Sequence, residues 1–312
     1  MTDPQLPTVM NERRQLINLA YRLLGSLAEA EDVVQETYAR WYALSERQRQ
    51  EIAAPGAWLT TVASRICLDL LGSARARRER YVGEWIPEPV PGRGDWLEGP
   101  VSADPADRVT LDESISMAFL VVLDSMTPAE RVAFVLHDVF RYSFAEVADI
   151  VGRTPAACRQ LASSARRRID TSRAPSSTER ADIVRDFKRA WETKDIEALI
   201  GLLDPHAIAT ADGGGLVLAF LDPIVGRDRI ADAWMEIAAR GGPTTLIERT
   251  VNGQPGLVAE VDGAVVSVYA FDIADGPRNN HILLAQTAKK CHPNRRQETL
   301  AGGEIKAAGV CG

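Results

Sequence analysis

A chain of 312 residues, 46% hydrophobic and 25% charged, is too long for one ordinary domain and too apolar to be disordered throughout. No apolar run approaches the ~18–20 residues that span a bilayer, and Met1 to Asn11 lacks the basic and apolar segments of an export signal. A cytoplasmic protein with no membrane contact is therefore expected. The net charge of −7 argues against a protein that grips DNA unaided, because phosphate neutralisation dominates non-specific affinity. Local charge runs the other way: Arg153 to Arg168 holds five arginines and no acid, and Arg75 to Arg80 four arginines and one acid. Short basic stripes on an acidic whole suit a subunit that meets DNA inside a larger assembly. The four cysteines (Cys67, Cys158, Cys291, Cys311) form no C-x-x-C pair, so no disulfide framework, zinc site or other cofactor is expected.

Along the chain, residues 12–80 read as helices. Residues 81–108 are rich in Pro and Gly and read as a linker. Helical pattern resumes from Val109 to Ile169, and a polar break containing Pro175 follows. Helices over about 180–192 and 195–203 come next, then a helix near Arg227–Ala239. β-branched runs lie at Thr244–Val251, Leu257–Val261 and Ala264–Phe271. The expected units are 10–80 and 109–172, both all-α, and an α+β unit over 180–290. Linkers at 81–108 and 173–179 join them, and 291–312 forms a divergent tail.

In the first unit, Ser26 and Glu29 have the spacing of a capping box. The helix they start buries a stripe of Val34, Tyr38 and Trp41 and carries Glu29, Glu31, Asp32, Gln35 and Glu36 mostly away from it. Pro55-Gly56-Ala57-Trp58-Leu59 opens another helix, with Leu59, Val62, Ile66 and Leu70 as its apolar stripe and arginines at its end. Taken alone, the acidic face reads as an ordinary solvated surface. The order of acidic helix, P-x-A-W-L and basic-ended helix, however, resembles the sigma-2 domain of extracytoplasmic-function sigma factors. Their D-A-E-D-x-V-Q-E-x-F pattern appears as E-A-E-D-V-V-Q-E-T-Y from Glu29 to Tyr38. The resemblance implies that Asp32, Gln35 and Glu36 contact RNA polymerase. It makes Arg65, Asp69 and the cluster Arg75, Arg77, Arg78 and Arg80 DNA-side candidates at the −10 element. Tyr81 is read as linker packing rather than as a base-stacking residue.

The second unit shows three closely spaced helix starts: Thr127-Pro128-Ala129-Glu130, Ser143-Phe144-Ala145-Glu146 and Thr154-Pro155. With the small Ala148 at a helix crossing and Gly152 for the turn, they make a helix-turn-helix. In the last helix Cys158, Leu161 or Ala162, Ala165 and Ile169 face inward. Arg159, Gln160, Ser163 and Arg167 face outward, where Arg and Gln can read base edges, and Arg153, Arg166 and Arg168 suit phosphates. His137 has no second ligand at metal spacing and reads as a packed or surface residue. The segment resembles a sigma-4 domain, which in that family reads the −35 element and contacts the polymerase flap.

Trp85-Ile86-Pro87-Glu88-Pro89 resembles the W-L-P-E-P linker of sigma factors that carry a SnoaL-like extension, its spaced prolines favouring an extended backbone. After Thr178 the order of helices and strands, with Asp212-Gly213-Gly214-Gly215 and Pro223-x-x-Gly226-x-x-x-Ile230, resembles the SnoaL-like (NTF2-like) cone. The expected architecture is thus all-α sigma-2 and sigma-4 domains followed by an α+β cone. The resemblance implies that the cone is regulatory, meeting the sigma core near Trp85, Pro87 and Glu88 through Asp212, Gly213, Gly214 and Gly215. Two features depart from the family pattern. Leu216 stands where a basic residue usually follows the glycines, and the end lacks an N-P-D-K-L-like motif.

The implied function is a sigma factor that directs core RNA polymerase to promoter DNA at its −35 and −10 elements, tuned by its third domain. The rival is a one-component helix-turn-helix regulator sensing a small-molecule ligand in the cone. That reading leaves the acidic helix unexplained and calls for a dimer matched to paired half-sites. No catalytic residue is expected, since His206 and Asp212 are too weak a pair to argue for an enzyme and a glycine turn by itself accounts for Asp212.

Overall fold

The structure is a computed structural model that describes residues 12–78, 86–91, 116–169, 177–212, 222–240 and 244–273. The first unit is built on α1 (Arg13–Leu24), buried without interruption from Leu16 to Leu24 and stopped by Gly25 in the left-handed region. Around it pack α2 (Leu27–Ala43) and the long α4 (Pro55–Arg78), joined by a short α3 (Glu46–Glu51) that buries no residue. Trp41 of α2 meets Trp58 of α4 edge to face, ring centres 5.3 Å apart. The apolar stripe of α4 differs from the expected one. Leu59, Ala63, Cys67 and Leu71 are buried, while Val62, Ile66 and Leu70 are half-buried on a neighbouring flank. The reason is tertiary: α4 has α1 and α2 on one side and the second helical unit on another.

The second unit comprises α5 (Met117–Asp124), α6 (Pro128–Phe134), a π-helical turn (Val135–Val139), α7 (Phe144–Val151) and α8 (Pro155–Arg166). Both expected capping boxes form, Thr127 with Glu130 and Ser143 with Glu146. Thr154 caps α8, and Gly152 takes a φ of 68° in the turn before it. His137 stacks on Phe144 at 3.7 Å between ring centres, its Nδ1 2.8 Å from the Tyr142 carbonyl. The two units share one apolar core. They are also tied by two arginines that serve helix ends across the boundary. Arg131 of α6 donates to the Leu23 carbonyl of α1 at 2.8 Å, and Arg65 of α4 donates to the Asp149 carbonyl of α7 at 2.9 Å. The last carbonyls of a helix lack intrahelical donors, so each guanidinium fills a vacancy that the helix itself creates.

The third unit contains α9 (Ser177–Glu192), α10 (Ile196–Leu202), the small pair β1 (Ile208–Ala209) and β2 (Ile224–Val225), and α11 (Arg227–Arg240). An antiparallel meander of β3 (Thr245–Val251), β4 (Gln254–Val261) and β5 (Ala264–Ala270) completes it. Both meander turns have positive φ at two successive residues, Asn252-Gly253 and Asp262-Gly263, the geometry that fits the twist of a tight hairpin. The sheet has two buried faces. Leu257, Ala259, Tyr269 and Phe271 point into a core of helices α9 to α11, whereas Val258, Val268 and Ala270 join the core of the two helical units. Alternation along each strand therefore divides one sheet between two cores. The helix-side core is aromatic, with Phe187, Trp191, Trp234, Tyr269 and Phe271 in edge-to-face contacts. Phe187 is fully buried at its centre. Replacing it with alanine is expected to cost about 3–5 kcal/mol, read as a lowered urea midpoint in tryptophan fluorescence.

Candidate functional site

Asp32, Gln35 and Glu36 lie exposed on one side of α2. Their orientation is fixed from behind, because Val33, Val34, Thr37 and Trp41 are buried on the same helix, and the Thr37 hydroxyl donates to the Val33 carbonyl at 2.7 Å. Glu36 makes an i,i+4 pair with Arg40 at 2.8 Å, both about half exposed. A pair so open to water contributes little and leaves the face acidic and accessible. The Ser26 cap forms only in part as expected. Glu29 N–H reaches Ser26 Oγ at 3.4 Å, but the carboxylate at the helix mouth is that of Glu88, accepting from Leu27 N–H at 2.9 Å and Ser26 Oγ at 3.4 Å.

On α8, Arg159, Gln160, Ser163 and Arg167 are exposed, with Cys158, Ala162 and Ala165 buried behind them. Arg159 lies over the Phe144 ring at 5.1 Å. Arg166 is engaged in a two-pronged pair with Asp138 at 2.8 and 3.1 Å, and Arg168 donates to the Ser125 carbonyl at 2.7 Å. Arg153, Gln160 and Arg167 border an open groove of about 480 Å³ beside Glu130. Arg65, by contrast, is turned to α7, so this candidate faces the second helical unit. Arg75, Arg77 and Arg78 lie on the final turns of α4, and Arg80 and Tyr81 fall outside the described residues.

Residues 86–91, Ile-Pro-Glu-Pro-Val-Pro, run extended between the first and third units, and Ile86, Pro87 and Pro89 are buried. Proline has no N–H, so only Ile86, Glu88 and Val90 carry donors. Ile86 donates to Asp212 Oδ2 at 3.3 Å, Glu88 to the Gly25 carbonyl at 2.7 Å and Val90 to Asn252 Oδ1 at 2.8 Å. In return Tyr21 Oη donates to the Glu88 carbonyl at 2.5 Å, and Asn252 N–H to the Val90 carbonyl at 2.8 Å. Asn252 Nδ2 donates to Tyr21 Oη at 2.9 Å and closes the set. Burial pushes the Tyr21 phenol well above its usual range, so it stays protonated. The structure thus brings Ile86 and Glu88 of the linker motif and Asp212 into one region. Trp85, Gly213, Gly214 and Gly215 lie outside the described residues. Asp212 is buried, while His206 is exposed with its backbone N–H on Asp204. The sequence reading missed Tyr21 and Asn252. An Asn-Gly pair between two β-branched runs is a hairpin signal, and it could have drawn attention to Asn252.

Two family models match: Sigma-70 region 2 over residues 8–77 and Sigma-70 region 4 over residues 116–169. A probable ECF RNA polymerase sigma factor of Mycobacterium tuberculosis, SigI, is 36% identical over 286 residues, covering 90% of this chain and 93% of its own. The chain belongs to the extracytoplasmic-function sigma factors of the sigma-70 family. SigJ of the same species is 39% identical over 235 residues, covering 74% of this chain and 72% of its own. The crystal structure of SigJ aligns with a TM-score of 0.68 at 33% identity, covering 91% of this chain and 96% of that one. The helical sigma-2 and sigma-4 regions are therefore followed by a small α+β part, as in SigJ. In this sigma factor no described helix is long and apolar enough to cross a membrane.

Within the sigma-4 region Glu130 is buried. Burial raises its pKa, but hydrogen bonds from the Thr127 N–H, Ser164 and the Thr127 hydroxyl, with the Arg168 charge, outweigh it and hold the carboxyl below its ordinary 4.5. A lowered folded pKa gives stability that is complete above the ordinary value and lost as pH falls through the folded one. Glu130→Gln should therefore unfold at lower urea than the parent at pH 7. The gap should close as the pH is taken from about 4.5 downward, measured as urea midpoints across the series.

Proposed function

We propose that the protein directs core RNA polymerase to promoter DNA in the cytoplasm and that its C-terminal SnoaL-like domain modulates this activity. The observation that carries the first half is the exposed Asp32–Gln35–Glu36 face on a chain matching both sigma-70 regions in order. The polymerase docks there, through charged contacts held outward by the buried back of α2. The outward residues of α8, Arg159, Gln160, Ser163 and Arg167, read the −35 element, and Arg153 engages phosphate. Arg166 joins them after giving up Asp138. The work is recognition and positioning, and no bond is made or broken.

The second half rests on the closed arrangement. Arg65, a −10 candidate on α4, is turned to the sigma-4 region. The −10 and −35 elements lie apart on the duplex, so both regions can engage a promoter only after they separate. The linker that must move is bonded to Asp212 and Asn252 of the C-terminal domain. That domain therefore influences how readily the molecule opens. A one-component regulator would need a symmetric dimer to match paired half-sites and leaves the acidic face without a role.

The test is a pull-down with bacterial core RNA polymerase. The parent is expected to bind and Asp32→Arg/Glu36→Arg to lose at least about tenfold in affinity, two reversed charges at a protein contact costing more than 1.4 kcal/mol. A charge reversal that binds as tightly as the parent would sink the docking assignment.

A further inference from the structure

Asn252 is a hairpin-turn residue whose polar groups do more than turn the chain. It is 3% exposed and sits at positive φ between β3 and β4. Its Oδ1 and backbone N–H take the two polar groups of Val90, and its Nδ2 takes Tyr21. Tyr21, fully buried on α1, holds the Glu88 carbonyl, and the Glu88 carboxylate sits on the first backbone N–H of α2. A continuous series of hydrogen bonds thus runs from the C-terminal sheet to the N-terminus of the helix that displays Asp32, Gln35 and Glu36. No step in it relies on an exposed contact between long side chains.

We infer that Asn252 is a positioning residue for the polymerase-docking helix, acting through Tyr21 and Val90 to keep the Glu88 carboxylate on the N-terminus of α2. The inference rests on the reading of α2 as the docking helix and names the route by which the C-terminal domain reaches it. A carboxylate at a helix N-terminus satisfies an orphan donor and meets the positive end of the helix dipole. Glu88 is 61 residues from Leu27, so this cap is present only while the linker is in place. Asn252 fixes the linker two residues further on, at Val90. Withdrawing the linker leaves the Ser26 hydroxyl as the local cap and takes the carboxylate from the Leu27 N–H; seating it completes the cap.

Asn252→Gly is the informative variant, because glycine keeps the positive φ of the turn while deleting both side-chain polar atoms. Tyr21→Phe removes only the hydroxyl and serves as an independent cut in the same route. In the full-length protein, amide exchange at Leu27 and Glu88 should rise about fivefold in each variant, the effect of losing roughly one net hydrogen bond. Amides within β4 and β5 should exchange as in the parent. Leu27 exchange unchanged in both variants overturns the inference. The second measurement is the affinity for core polymerase of Asn252→Gly, Glu88→Gln and the double variant. If Asn252 acts through Glu88, the effects are non-additive by at least about threefold; additive effects overturn it. Loss of the docking reading is separable, since it would appear as unchanged binding of Asp32→Arg/Glu36→Arg whatever the exchange data show.

Discussion

A short extended segment buried between two units must find partners for the backbone donors it carries, and residues 86–91 meet that requirement by carrying few. Every second residue is proline, which halves the donors, and the three that remain are divided between the sigma-2 region and the C-terminal domain. The segment can sit in a largely apolar setting because of this economy. It also ties together the units it touches, since any rearrangement of one leaves a buried donor or acceptor unmet, at about 1–3 kcal/mol each. The placement of the sigma-2 helices against the C-terminal sheet follows from that constraint.

The contact between the sigma-2 and sigma-4 regions obeys a related rule. Helix C-termini expose carbonyls, and here Leu23 and Asp149 receive theirs from arginines of the opposite region. The two bonds run in opposite directions across the boundary, so the contact is reciprocal. Arg131 is also paired with Asp124 at 2.7 Å and is nearly fully buried, and a buried guanidinium is costly to leave without acceptors. Arg65 is exposed and has water as an alternative. The two ties therefore differ in how readily they release, and Arg65 is the looser.

What could be read from the sequence was what is decided locally. The boxes at Thr127 and Ser143, the Thr154 cap, Gly152 and the inward and outward faces of α8 follow from spacing within a few residues, and all appear as expected. The meander strands and α11 were legible for the same reason. The stripe on α4 was misplaced because its flank is covered by a unit distant in sequence, which periodicity cannot register. The Ser26 cap was read as a pair with Glu29, while the carboxylate that arrives comes from the linker. The polymerase-side and −10 candidates were assigned through resemblance. Tyr21 was missed, because a tyrosine within an apolar helix gives no sign that its hydroxyl will meet a partner 231 residues away.

The two-faced sheet has a bearing on when the molecule can open. Val258, Val268 and Ala270 leave the water only because the sigma core covers them, and that core has its own apolar surface beneath them. Separating the sheet from the core would wet both surfaces at about 25 cal/mol for each Å² of apolar area. An opened form alone in solution would bear that cost in full. Opening is therefore best supported where another macromolecule takes over the uncovered surface as it appears, which couples the change of shape to arrival at the polymerase rather than setting it ahead of the encounter.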